Sequence, residues 1–260
     1  MANWTYFYLI RIEFLGFRYH GWQKQVDQKT VHGMVDKTFD FIFKHSNYRT
    51  LGCGRMDAKV SADDYALELF TFEELNPELL LEELNGNLPS DIRTKSVESI
   101  NADFNIIRSS RSKEYHYYFS SGEKSHPYNA PFIRHFGAEL DIEKMEEAVK
   151  LFKGKHNFKR YTSKPSPETK LEREIISASI ESNTKYSGSF TPENAYVFKV
   201  KAIGFLRYQV RLMMGALIDV GQGTWTVEDL NQSLIDFNGP QIKHIAPSSG
   251  LVLHRVVFAD

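Results

Sequence analysis

Arg55 and Asp57 stand two residues apart in Leu51–Phe70, LGCGRMDAKVSADDYALELF, between turn-forming glycines and an alternating, strand-like run. A carboxylate held in a partly buried site is costly unless a cation sits near it, and one so held can serve as a nucleophile or a base. By themselves these residues fit a surface turn with a solvated charge pair as well as a catalytic loop. The rest of the chain has to decide.

Other reactive groups are sparse. Cys53 is the only cysteine, so no internal disulfide and no Cys-x-x-Cys pair can form. The nine histidines show neither His-x-His nor His-x-x-x-His spacing, which predicts no metal site. No glycine-rich phosphate cradle is present. Basic residues do gather. GFRYHGWQKQ (16–25) holds Arg18 and Lys24 without an acid, and HNFKRYTSKPSPETKLER (156–173) carries five Lys/Arg against two Glu. The second stretch reads as a mobile basic loop. Net charge is −1 over 260 residues, which excludes a protein that coats nucleic acid indiscriminately and leaves room only for a local basic patch.

The elements that must position these groups follow from periodicity. Tyr6–Phe14 alternates as a strand. Thr30 can cap a helix with Val31, Met34, Val35, Thr38 and Ile42 on one face. A strand follows at Tyr65–Phe72, then a helix opened by Asn76–Pro77 and a strand within NLPSDIRTKSVESI. The first 105 residues read β-α-β-α-β. Residues 106–260 repeat the grammar. A strand over Ser112–Gly122 sets Tyr115 and Tyr117 on one face and His116 and Tyr118 on the other. Asp141 caps a helix with Ile142, Met145, Val149 and Phe152 inward, and strands follow at Glu174–Glu181 and Tyr196–Ala202. FLRYQVRLMMGALIDVG (205–221) is a long apolar helix ending at glycine, Thr226 with Asp229 suggests another capped helix, and GLVLHRVVF closes as a strand. Two domains, 1–105 and 106–260, each with helices on one face of a mostly antiparallel sheet, make an α+β protein. The N-terminal apolar run is broken by Arg11 and Glu13, and no run reaches membrane-spanning length, so a reducing, cytoplasmic setting is expected.

Six blocks in order resemble the tRNA pseudouridine synthases of the TruA type over nearly the full length. They are FLGFRYHGWQKQ, CGRMDAKVSA, NGNLPSDIR, KEYHYYF, FLRYQVRLMMGALIDVG and APSSGLVL. The resemblance implies a cofactor-free isomerase that turns uridine into pseudouridine in the tRNA anticodon stem-loop, at positions 38 to 40. It also implies two ferredoxin-like halves in one continuous antiparallel sheet, a central cleft and a homodimer. By the same resemblance Asp57 is the nucleophile, Arg211 its charge partner, Arg55 the side chain that fills the gap of a flipped base, and Tyr115 the active-site tyrosine. Phe205 and Leu206 wall the pocket. Arg18, Lys24, Lys159, Arg160, Lys164 and Arg173 are candidates for phosphate contact. Met56 replaces a threonine of the family pattern and Lys59 a glycine; if that backbone needs positive φ, lysine strains the loop. The departures leave a second reading, an RNA-binding paralogue with impaired catalysis.

Overall fold

The computed structural model describes residues 4–259. They form two compact units, one running to Arg111 and taking back the stretch from Val252, the other Ser112–Leu251. The division therefore falls beyond residue 105, and the closing strand belongs to the first unit.

In the first unit, β1 (Tyr6–Phe14), with the bounds its alternation predicts, lies between β3 (Ser61–Thr71) and β4 (Ile92–Ser99), antiparallel to both. A strand absent from the sequence reading, β2 (Tyr48–Gly52), pairs antiparallel with the far half of β3, from Tyr48↔Thr71 to Gly52↔Leu67. The near half of β3 takes a different neighbour: β10 (Leu251–Phe258) runs parallel to it at Val252↔Ser61 and Leu253↔Ala62. Two helices pack together. In α1 (Val31–Phe43) the Thr30 side chain accepts from Gly33 N, as expected. Val31, Val35, Thr38 and Phe39 are buried, whereas Met34 and Ile42 are only half covered. In α2 (Pro77–Asn87) Asn76 accepts from Glu78 N and Leu79 N, with proline at the first turn.

The second unit orders its strands β6 (Arg134–Phe136), β5 (Ser110–Ser121), β9 (Ala195–Ala202), β8 (Glu172–Ser182) and β7 (Gly154–Asn157). All are antiparallel except β5 with β6. The strands are mostly antiparallel, as expected, with two short parallel pairings, β3–β10 and β5–β6. Three helices, α3 (Ile142–Val149), α4 (Gln209–Gly221) and α5 (Val227–Ile235), pack against one another. α4 is buried on nearly every side, which suits its apolar sequence. It starts at Gln209 rather than Phe205, because Tyr208 takes a left-handed conformation (φ 63°) that no helix continues. Asp141 caps α3, and Thr226 with Asp229 completes the capping box of α5.

The expected mobile loop at 156–173 is partly regular. His156 lies in β7, Lys159–Tyr161 form a short helical turn, and Phe158 and Tyr161 are fully buried. Two aromatic anchors outweigh the polar composition around them.

Candidate active site

The Asp57 loop is a lip between two buried residues of the first unit. Cys53 extends the β2–β3 ladder by donating its N–H to Ala66 O (2.9 Å), and Val60 is buried at the start of β3. Between them the backbone turns, with Val60 N donating to Asp57 O (3.3 Å). The 16–25 segment cradles this turn. Trp22 N donates to Met56 O (3.2 Å), Lys59 N to Tyr19 O (3.0 Å), and Gly16 N to the Ser61 hydroxyl oxygen (2.9 Å). The approach is close enough to require glycine: a Cβ at Gly21 (φ +92°) would lie 2.5 Å from Met56 O. From behind, the buried Tyr65 hydroxyl donates to Gly54 O across 2.5 Å, while its ring lies 4.0 Å from that of Trp22. Trp22 also stacks on His32 at 5.0 Å.

This mounting leaves Asp57 half-buried and Arg55 exposed. Lys59, also exposed, takes φ +68°, the positive φ that lysine tolerates poorly, at a strain of roughly 1 kcal/mol. Its ammonium lies 5.7 Å above the Phe17 ring.

Arg18 and Lys24, expected on phosphate, are both committed to acids. Arg18 pairs with Asp91 (2.6 Å), which also accepts from the Tyr19 hydroxyl (2.7 Å). Burial opposes ionisation of Asp91, but the bonds from Tyr19 and Arg18 outweigh it and hold the carboxyl below its usual range. Lys24 pairs with Asp36, whose other oxygen accepts from Thr50 (2.8 Å). An open groove of about 850 Å³ runs beside Lys24, lined by Lys29 and Lys37 but equally by Asp27, Asp36 and Asp40. Its charges cancel, and Asp57 is not among its walls.

In the second unit, Tyr115 sits on β5 opposite Val200, half-buried. Its ring meets Phe205 edge to face, with centroids 5.3 Å apart and planes at 87°. Phe205 is half-buried, as a wall residue should be, whereas Leu206 is 8% exposed and packs as core. The turn into α4 caps itself: Gln209 Oε1 accepts from Leu206 N (2.8 Å) and Gln209 N donates to Leu206 O (3.1 Å). One turn on, Arg211 donates through Nε to Ala246 O (2.7 Å), and its guanidinium lies 4.9 Å from the Tyr208 ring. Ala246 N returns a bond to Arg211 O (3.1 Å). The Arg211 head is therefore fixed before any ligand arrives.

The other basic candidates divide. Arg160 donates to Pro240 O (2.7 Å) and Asp236 O (3.3 Å), and Lys159 to Asn238 Oδ1 (3.0 Å), so both hold the 236–240 turn. Arg173 folds onto its own backbone at Lys170 O and Glu172 O. Lys164 is exposed, in a left-handed conformation (φ 47°). Sequence reasoning missed Tyr65 and Tyr19 as supports of the Asp57 loop. The one signal was a hydroxyl-bearing ring set among aliphatic residues at the head of β3.

The first unit thus offers a half-buried carboxylate on a locked turn flanked by cations; the second offers an aromatic wall and a fixed guanidinium. Residues 148–259 match a family model described as "tRNA pseudouridine synthase". Across the chain there is similarity to proteins named tRNA pseudouridine synthase A. That of Clostridium botulinum (strain Eklund 17B / Type B) is 31% identical over 249 residues, 95% of this chain and 97% of the relative. That of Aquifex aeolicus (strain VF5) is 30% identical over 255 residues, 96% and 99% respectively. That of Thermodesulfovibrio yellowstonii is 28% identical over 249 residues, 95% and 97%.

Proposed function

The chain belongs to the tRNA pseudouridine synthase A family of isomerases, and we propose that it converts uridine to pseudouridine in the anticodon stem-loop of tRNA, at positions 38 to 40, with Asp57 as nucleophile. The reaction breaks the bond from uracil N1 to the ribose and remakes it from C5. The proton lost at C5 is balanced by one gained at N1, so atoms and electrons close without a cofactor. The target base must leave its stack, at roughly a few kcal/mol.

The observation that carries the reading is the Asp57 turn, a half-buried carboxylate on a backbone pinned by Trp22, Tyr19 and Tyr65. A reacting carboxylate must be held still, and a surface turn needs no such mounting. In this reading Asp57 attacks the sugar or the ring, and Arg211 supplies a fixed positive charge for the reaction. Arg55 fills the gap left by the extruded base, and Tyr115 covers the uracil with its hydroxyl available to the C5 proton. Phe205 supports the Tyr115 ring edge-on. A homodimer and a cytoplasmic setting complete the reading. Among the described residues no helix is long and apolar enough to cross a membrane.

Unmodified tRNA transcripts incubated with the protein are expected to gain pseudouridine at the named positions, and Asp57→Asn to abolish it. RNA bound without product, and unchanged by that substitution, would replace the enzyme with a non-catalytic binder.

A further inference from the structure

We propose that Lys59 is a ligand for an RNA phosphate at the lip of the Asp57 turn. The inference rests on the tRNA reading above and assigns to that substrate a contact of this chain's own.

Two observations point the same way. First, Lys59 is strained. Its φ of +68° suits glycine, yet the position carries a long charged side chain. The backbone cannot relax, because its N–H is held by Tyr19 O and the next N–H by Asp57 O. Strained side chains that persist at the edge of a reactive group mark a place where the side chain itself has a use.

Second, several cations of the first unit are already paired. Arg18 is paired with Asp91, Lys24 with Asp36, Arg11 with Asp64 and Arg93 with Glu13. Arg55 and Lys59, two residues either side of Asp57, are exposed and have no carboxylate partner among the described residues. Lys59 rests its ammonium over the Phe17 ring at 5.7 Å, a weak contact that steers the side chain without neutralising it. A cation so placed can take a phosphate oxygen without first breaking an ion pair. A polyanion entering toward Asp57 carries such oxygens on both sides of the reacting nucleotide.

Strain and charge separate cleanly by substitution. Lys59→Gln keeps the strain and removes the charge; Lys59→Gly removes both; Lys59→Arg keeps both. Binding of unmodified tRNA transcript is measured in the Asp57→Asn background across a salt series, with thermal melting of each variant. Lys59→Gln is expected to weaken binding about threefold to tenfold and to reduce the salt slope by about one, with the melting midpoint unmoved. Lys59→Gly should lose the same affinity while its midpoint rises by about 2–4 °C. Lys59→Arg should bind within about twofold of the parent. Unchanged affinity and slope in Lys59→Gln would overturn the proposal, as would a stabilised Lys59→Gly that binds RNA as before. Absence of pseudouridine from the wild-type reaction would instead strike the functional reading, while the binding series still decides the role of Lys59.

Discussion

The hydroxyl of Tyr65 donates to the carbonyl of Gly54 across 2.5 Å, tying a fully buried strand residue to the backbone three positions before Asp57. Tyr65→Phe keeps the ring against Trp22 and deletes only this bond. Leaving this half-buried carbonyl unpaired costs about 1 kcal/mol. If the bond positions the turn for chemistry, kcat should fall about tenfold with KM unchanged, since a small misplacement of a reacting group is enough for that. Steady-state kinetics with tRNA, set against the folded fraction from circular dichroism, checks this; a kcat that falls only in proportion to the folded fraction would mean the hydroxyl only stabilises the fold.

Gly215 sets two effects in opposition. Helix propensity alone favours alanine over glycine inside α4 by about 1 kcal/mol. A Cβ there, however, would lie 1.8 Å from His244 O, a backbone atom that cannot swing aside. Overpacking wins, and Gly215→Ala is expected to destabilise by about 3 kcal/mol or more. The displaced segment includes Ala246 O and Pro247 O, which hold Arg211 and the Tyr117 hydroxyl, so activity should fall as well. Denaturant unfolding beside kinetics tests both.

His244 bonds Asp219 at 2.7 Å, and that bond, against a smaller opposing effect of burial, raises the imidazole above its ordinary range. A group whose folded pKa is raised contributes stability that is complete below its unfolded value. That contribution is lost as pH climbs through the folded one. Unfolding free energy should therefore decline from about pH 6.5 upward through the folded pKa. In Asp219→Asn this slope should flatten. Urea midpoints at half-unit pH steps, with a nuclear magnetic resonance titration of His244, give the check.

Arg160 and Lys164 lie four residues apart yet should behave differently. Arg160→Ala removes two bonds that hold the 236–240 turn and should lower stability by about 1.5–3 kcal/mol, with little change in the salt dependence of KM. Lys164→Gln, on an exposed side chain, should leave melting unchanged and, if Lys164 meets phosphate, raise KM about threefold with a shallower salt slope. Identical salt slopes in both variants would remove Lys164 from the RNA face.

Much of this was legible in the chain. β1 alternates over nine residues, and the caps at Thr30, Asn76, Asp141 and Thr226 are chemically distinctive, so each element begins where its capping residue says. β2 escaped because YRTLG is five residues long and only half-buried, with too little alternation to separate it from a turn. The left-handed Tyr208 escaped because Phe-Leu-Arg-Tyr holds no glycine, proline or asparagine to announce a break. Lys59 was readable as a strain only through the family pattern, and two of the supports under Asp57, Trp22 and Tyr19, lie more than thirty positions away in sequence from the backbone they hold. Such distant partners leave no local periodicity.

The return of β10 to the first unit has a biosynthetic consequence. On the ribosome, the strand that follows Asp57 can recruit β1 and β2 early, but its leading residues Ser61 and Ala62 wait for Val252 and Leu253, synthesised after the whole intervening unit. The unit that carries Asp57 is thus completed only after residues 112–251 have been made. A nascent or proteolytically clipped polypeptide that lacks Val252 and Leu253 would carry Asp57 beside a strand without its parallel neighbour.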